Sequence, residues 1–192
     1  MTKFIAFLAL ALAASPATAD PIDTSQILSA ASGDINKDGN PDLVMLVNDP
    51  DKGVIDIHVL MEAADQARLM PIAVVHDKVW GSAEPGGFVG REPSVEILAN
   101  GSIAVHSKNE AIGRDRWNQT LIVAWRNNDL VVAGFRHEYY DTLDPDNNGA
   151  CDLNVLTGKG DRNGKAIKAG ARFIPLSDWQ DEMGAKPCGI GE

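Results

Sequence analysis

The chain has 192 residues, 44% of them apolar and 23% charged, with 17 Lys and Arg against 27 Asp and Glu and a formal net charge of −10. This composition excludes a disordered chain, which would lack the apolar residues for a core, and a collagen-like repeat, which would be about one-third glycine. Binding to a nucleic-acid backbone is disfavoured too, because that affinity comes from clustered Lys and Arg and the sequence has no such cluster.

The first nineteen residues read as a secretory leader. Lys3 is a basic start, residues 4–14 are apolar, and Ala17-Thr18-Ala19 makes an A-x-A cleavage site before Asp20. The apolar stretch is too short to span a bilayer. The expectation is a signal peptide over residues 1–19 and a single domain over residues 20–192. The mature chain is then periplasmic or secreted and not inserted in a membrane. Asp20 rather than cysteine follows the cut, which disfavours a lipid anchor.

Beyond the leader, short runs of Val, Ile, Leu and Trp alternate with turn signals. Residues 27–31 fit a short helix or a strand. Residues 43–47 are an apolar run, and residues 54–61 alternate, with Ile55, Ile57, Val59 and Met61 on one face and Asp56 and His58 on the other. Residues 70–75 are a third strand. Residues 79–93, with Gly81, Pro85, Gly86, Gly87, Gly90 and Pro93, read as a long surface loop. Residues 93–99 and 102–107 flank Asn100-Gly101, the dipeptide suited to a type I′ hairpin. The longest hairpin places Trp117, Gln119, Leu121, Val123 and Trp125 on one face and turns at Asn127-Asn128 into residues 130–140. A last one joins residues 153–158 and 165–174 across Asn163-Gly164. Serial hairpins of this kind imply a mainly β protein, antiparallel, forming a β-sandwich or open barrel.

Cys151 and Cys188 are the only cysteines. In an exported chain an even pair reads as a disulfide, with two buried thiols as the alternative.

Two stretches share a spacing of oxygen-bearing residues. In the first, Asp34, Asn36, Asp38 and Asp42 occupy positions 1, 3, 5 and 9, with Gly39 at position 6 and Asn40 at position 7. In the second, Asp144, Asp146, Asn148 and Asp152 fill the same positions, with Gly149 and Ala150 at 6 and 7. Ca²⁺ takes six to eight oxygens at about 2.3–2.6 Å, and a tightly wrapped chain presents alternate side chains, the carbonyl of position 7 and a glycine at the sharp bend. Two carboxylates held about 4.5 Å apart repel by roughly 4 kcal/mol at an effective dielectric of 20, and a divalent cation reverses that cost. An EF-hand is excluded, since position 12 is Met45 or Val155 rather than Glu and the following residues are strand-like. The same residue types also make Asx-turns without metal.

The segment Gly33-Asp34-Ile35-Asn36-Lys37-Asp38-Gly39-Asn40-Pro41-Asp42-Leu43 resembles the FG-GAP or VCBS-type repeat, with its G-D-x-N-x-D-G-x-x-D-L core. The resemblance implies a calcium loop between two strands, with Asp34, Asn36, Asp38 and Asp42 as side-chain ligands and Asn40 as a carbonyl ligand. Carried to the second stretch, it implies Asp144, Asp146, Asn148, Ala150 and Asp152, and so one or two Ca²⁺ ions. It covers about twelve residues at each place and does not extend to a seven-bladed propeller, for which the chain is too short.

Catalytic patterns are sparse. His58, His76, His106 and His137 are scattered, and no P-loop, G-x-S-x-G or H-E-x-x-H is present. The expectation is a non-enzymatic binding or structural β-domain with a protein or glycan ligand. The alternative is a hydrolase or accessory subunit using residues 138–152, where Glu138 and Asp141 could pair as acid and base. Residues 108–117 read either as a recognition loop or as a polar connection in which Arg114 and Arg116 pair with Glu110 and Asp115 while Trp117 enters the core.

Overall fold

The computed structural model describes residues 23–63, 66–82 and 89–190, with residues 66 and 67 as backbone only; the expected leader and part of the glycine-rich loop lie outside them. Among these residues, eleven antiparallel strands form two sheets. In the first, the order is β1 (Ile27–Gly33), β2 (Asp42–Asp49), β3 (Val54–Ala63), β4 (Gln66–Val75). In the second, the neighbours run from β5 (Ser94–Ile97) through β6 (Ile103–Asn109), β7 (Asp115–Arg126), β8 (Asp129–Asp141), β9 (Asn148–Asn154) and β10 (Lys159–Arg162) to β11 (Lys165–Lys168). The sheets do not close into a barrel, so of the two expected architectures the β-sandwich is the one found. The undecided segment at residues 27–31 is strand β1.

Alternation explains the core. Ile55, Ile57, Val59 and Met61 of β3 point inward with Val44 and Leu46 of β2, and meet Leu121, Val123, Phe135 and Leu153 of the second sheet. Each fully buried Leu, Ile or Val contributes about 1.5–3 kcal/mol. A C-terminal segment closes one end of the core with Leu176 and Trp179, both 1% exposed. The short helix α1 (Glu182–Ala185) brings Gly184 against the ring of Phe135, where any side chain would collide. Along the opposite seam the two sheets touch: the Val95 N–H donates to Ser29 Oγ at 3.1 Å, joining β5 to β1.

The turns show which local expectations survive packing. Asn127 and Asn128 both take left-handed φ, at 53° and 61°, and Asn163 and Gly164 follow at 52° and 77°, the backbone of type I′ hairpins. Asn100-Gly101 differs. Only Gly101 has positive φ, +80°, and its N–H donates to the Leu98 carbonyl while the Leu98 N–H donates to Ser102, both at 2.8 Å. This is a type I turn closed by a glycine bulge rather than type I′. The longer form seats Gly101 against the first carboxylate loop, where an added Cβ would lie 2.7 Å from the Asp34 carbonyl.

The expected strand at residues 153–158 is also replaced. Asn154 Oδ1 accepts the Thr157 N–H at 2.9 Å and Gly158 adopts φ +69°, so the chain turns there and β10 runs back along β9.

Candidate functional site

The first carboxylate stretch is a closed loop between β1 and β2. Asp34 Oδ1 accepts the Asp38 N–H at 3.1 Å and Oδ2 the Gly39 N–H at 3.0 Å. Asn36 Oδ1 also accepts the Asp38 N–H, at 3.0 Å, and Asp38 Oδ1 accepts the Asn40 N–H at 2.8 Å. Oxygens of positions 1, 3 and 5 thus gather on the backbone of residues 38–40. Lys37 at φ 65° and Gly39 at φ 90° supply the bend, and the space beside Gly39 is open. The Asn40 N–H, and then the Asn36 side chain, hold the Asp38 carboxyl below its ordinary pKa.

Position 9 is different in kind. Asp42 is fully buried, and its two oxygens accept the Ile35 N–H at 2.8 Å and the Glu62 N–H at 3.2 Å. It fastens the loop entry to strand β3 from below. The oxygens free to face a cation are therefore those of Asp34, Asn36 and Asp38, an all-oxygen set suited to a hard ion. Among the described residues no three His, Cys, Asp or Glu side chains already converge on one point that could hold a metal.

The second stretch is not wrapped. Residues 141–147 form a tight turn in which the Asp141 N–H donates to Asn147 and the Asn147 N–H to Asp144, at 2.9 and 3.0 Å. From Asn148 onward the chain is strand β9, with Asn148 opposite Tyr140 and Asp152 opposite Arg136. Four residues of strand separate Asn148 from Asp152 by about 13 Å, far beyond the span of one Ca²⁺ shell. The Ala150 carbonyl, expected as a ligand, accepts the Asn163 N–H at 3.0 Å. Gly149 is not a bend; it lies under Tyr139, where an added Cβ would be 2.8 Å from the ring. The structure leaves Asp144 and Asp146 in the turn and Asn148, Ala150 and Asp152 along a ladder, so the five do not come together. Cys151 lies inside β9 and is bonded to Cys188, as expected, with Cα atoms 5.8 Å apart.

The two carboxylates considered as an acid–base pair in residues 138–152 are each engaged by an arginine. Asp141 is buried and Oδ2 binds the Arg114 guanidinium through Nε and Nη2, both at 2.6 Å. Its Oδ1 accepts the Leu143 and Asp144 N–H groups. Arg114 first, with those backbone donors, lowers the Asp141 carboxyl to about 2. Glu138 bonds Arg136 beside it on the same strand. Arg114 therefore pairs across the β7–β8 hairpin with Asp141, not with Glu110 or Asp115.

Trp117 does not enter the core. It stands half-buried in a stack that runs outward from Phe135 through His137, with Trp117 5.7 Å from His137 and Trp80 4.7 Å from Trp117. Burial pushes the His137 imidazole below its ordinary pKa. The Arg91 guanidinium covers Trp80 at 4.3 Å. Aromatic and cationic groups thus occupy one another's faces in this stack.

No family model matches the chain, and no curated protein or solved structure matches it. The arrangement of its own residues carries the functional reading.

Sequence reading missed one further constellation. Asp56, on the outer face of β3 and 5% exposed, accepts a hydrogen bond from His76 Nδ1 at 2.7 Å, while its other oxygen is buried without a partner among the described residues. The D-x-H spacing of Asp56 and His58 was the available signal; the β3–β4 pairing that adds His76 was not visible in it. Among the described residues no helix is long and apolar enough to cross a membrane, and the disulfide indicates an oxidising environment.

Proposed function

We propose that the chain is an exported, periplasmic or secreted β-sandwich that binds one Ca²⁺ in the loop of residues 34–42 and acts by binding a partner rather than by catalysis. The observation that carries the metal reading is the gathering of Asp34, Asn36 and Asp38 oxygens on one turn, above a buried Asp42 that fixes the loop to β3. The resemblance of this segment to FG-GAP and VCBS-type loops supports the same ion. Asp34, Asn36 and Asp38 would hold it with the Asn40 carbonyl and water. The ion would neutralise two carboxylates that otherwise lean only on backbone N–H groups and the Asn36 side-chain amide. Two carboxylates and neutral donors suit the weak affinity of extracellular calcium modules, about 10⁻⁴–10⁻³ M.

Calorimetric titration of metal-stripped protein with CaCl₂ tests the reading. One site is expected, with a rise in Tm at millimolar calcium that Asp34→Asn combined with Asp38→Asn removes. Absence of heat and an unchanged Tm would overturn it. The non-catalytic part is supported by Asp141 and Glu138, whose carboxylates are engaged by Arg114 and Arg136.

A further inference from the structure

Beside the edge strand β11 lies a hollow of about 500 Å³, lined on one side by residues 168–172 and on the other by α1 and the two residues after it. That volume is the size of a small-molecule site. Both walls are fixed. The Ala169 N–H donates to the Gly158 carbonyl at 2.7 Å and the Arg172 N–H to the Val155 carbonyl at 3.1 Å. In the facing wall, Pro187 precedes Cys188, which the disulfide ties to β9. Arg172 Nη2 donates to the Met183 carbonyl at 2.8 Å and so joins one wall to the other.

The lining combines two kinds of surface. Ala169, Met183 and Pro187 are half-buried, and the first two pack against the hydrophobic core. Lys168, Arg172 and Lys186 stand among them, with Glu182 the one acid of the lining. In a chain of net charge −10 this is a local excess of cations. Among the described residues no ion pair takes up any of these four charges. Neighbouring charges do not reverse the balance. Lys159 of β10 stands directly opposite Lys168, a like-charge pair that a nearby anion relieves. The other acids of these segments are bonded outside the hollow: Asp161 accepts the Gly164 N–H, Asp178 the Ser177 hydroxyl, and Asp181 the Gln119 amide and the Trp179 indole N–H.

We propose that this hollow binds a small amphiphilic anion, a carboxylate carrying a short apolar chain, with its head on Lys168, Arg172 and Lys186 and its chain on Ala169, Met183 and Pro187. Arg172 keeps further N–H donors beyond the one given to Met183, in the planar fork that matches a carboxylate. A neutral chain would leave the cations unanswered, and a bare anion would leave the apolar floor in water; a molecule with both parts satisfies both.

The inference gives the binding role proposed above a ligand class, at a site that shares no residue with the calcium loop. The probe is sodium octanoate, titrated into calcium-free wild-type protein and into Asp34→Asn combined with Asp38→Asn, and followed through the backbone amides by NMR. Binding in the millimolar range is expected in both proteins, with shifts centred on Ala169, Arg172, Met183 and Lys186, so a failed calcium reading leaves this result intact. Octyl glucoside and octyltrimethylammonium keep the chain and change the head, and acetate keeps the head and removes the chain. Each is expected to bind about tenfold more weakly or less. Lys168→Glu combined with Lys186→Glu, at two exposed positions, is expected to weaken octanoate about tenfold or more, with circular dichroism confirming the fold. Shifts that are absent or scattered over the surface, octyl glucoside binding as tightly as octanoate, or unchanged affinity in the double variant overturns the proposal. Acetate binding as tightly as octanoate reduces the hollow to a simple anion site and overturns it as well.

Discussion

Residues 34–42 and residues 144–152 carry the same spacing of oxygens and the same glycine, yet one is a closed loop and the other is mostly strand. The glycines show the difference most clearly. Gly39 is required by its backbone, at φ 90° with free space around it, whereas Gly149 is required by its neighbour, the ring of Tyr139. What separates the two stretches is pairing. Residues 34–41 have no strand beside them, so their N–H groups turn to their own side chains. Residues 148–152 pair with β8, Cys151 and Asp152 pair with β10 as well, and the Ala150 carbonyl is taken by the Asn163 N–H, so inter-strand bonds outcompete any local wrap. A ligand spacing therefore indicates a loop only where the backbone is not claimed from both sides.

The largest expected effect lies at the disulfide of the second stretch. Replacing Cys151 and Cys188 together by serine removes a 37-residue cross-link, and denaturant unfolding is expected to show a loss of about 4 kcal/mol on the loop-entropy account. The second stretch is held by sulfur and strand, so the calcium response proposed for the first loop should persist in that variant under conditions where it remains folded.

Next in size is Asp42→Ala. It strips two buried N–H groups, of Ile35 and Glu62, of a charged acceptor, for an expected loss of about 3 kcal/mol in urea unfolding. The matching change in the second stretch, Asp152→Ala, removes an exposed side chain, and less than about 0.5 kcal/mol is expected. Equal losses would contradict the distinction between a buried anchor and a surface carboxylate.

A smaller effect concerns pH. The folded Asp141 carboxyl is held at about 2 against its ordinary 3.8, so its stabilising contribution is present above the ordinary value and disappears as pH falls from near 4 through about 2. Arg114→Ala is expected to move the Asp141 titration, followed by NMR, back toward ordinary values and to raise the midpoint pH of acid unfolding. Among the described residues the first loop has no ion pair of that kind, and on the proposed calcium reading its acid response should instead follow loss of the ion.

Much of the fold was legible because it obeys a period of two. Ile55, Ile57, Val59 and Met61 face the core as their alternation requires, and Asn127-Asn128 and Asn163-Gly164 turn as their residue types favour. The disulfide followed from compartment and count. The failures share a cause, which is contact from elsewhere in the chain. The Asn100-Gly101 turn packs on the Asp34 loop, Trp117 meets Trp80 from the segment before β5, and Arg114 finds Asp141 across a hairpin. In the candidate site, Asn36 and Asp38 were readable from spacing. That Asp42 is an anchor required knowing that the Glu62 N–H lies beneath it.

Both sheets are meanders in which every neighbour in space is also the next strand along the chain. Hairpins of this kind close over short distances, so the contact order is low for an all-β protein and folding should be fast for the class. Such a chain can pair each new strand with the previous one as it arrives, without waiting for a distant partner. The Ser29–Val95 seam, the Cys151–Cys188 bond and the C-terminal contacts of Ile174 with Val132 and of Trp179 with Lys78 are long-range closures, and they lock an arrangement already assembled in order.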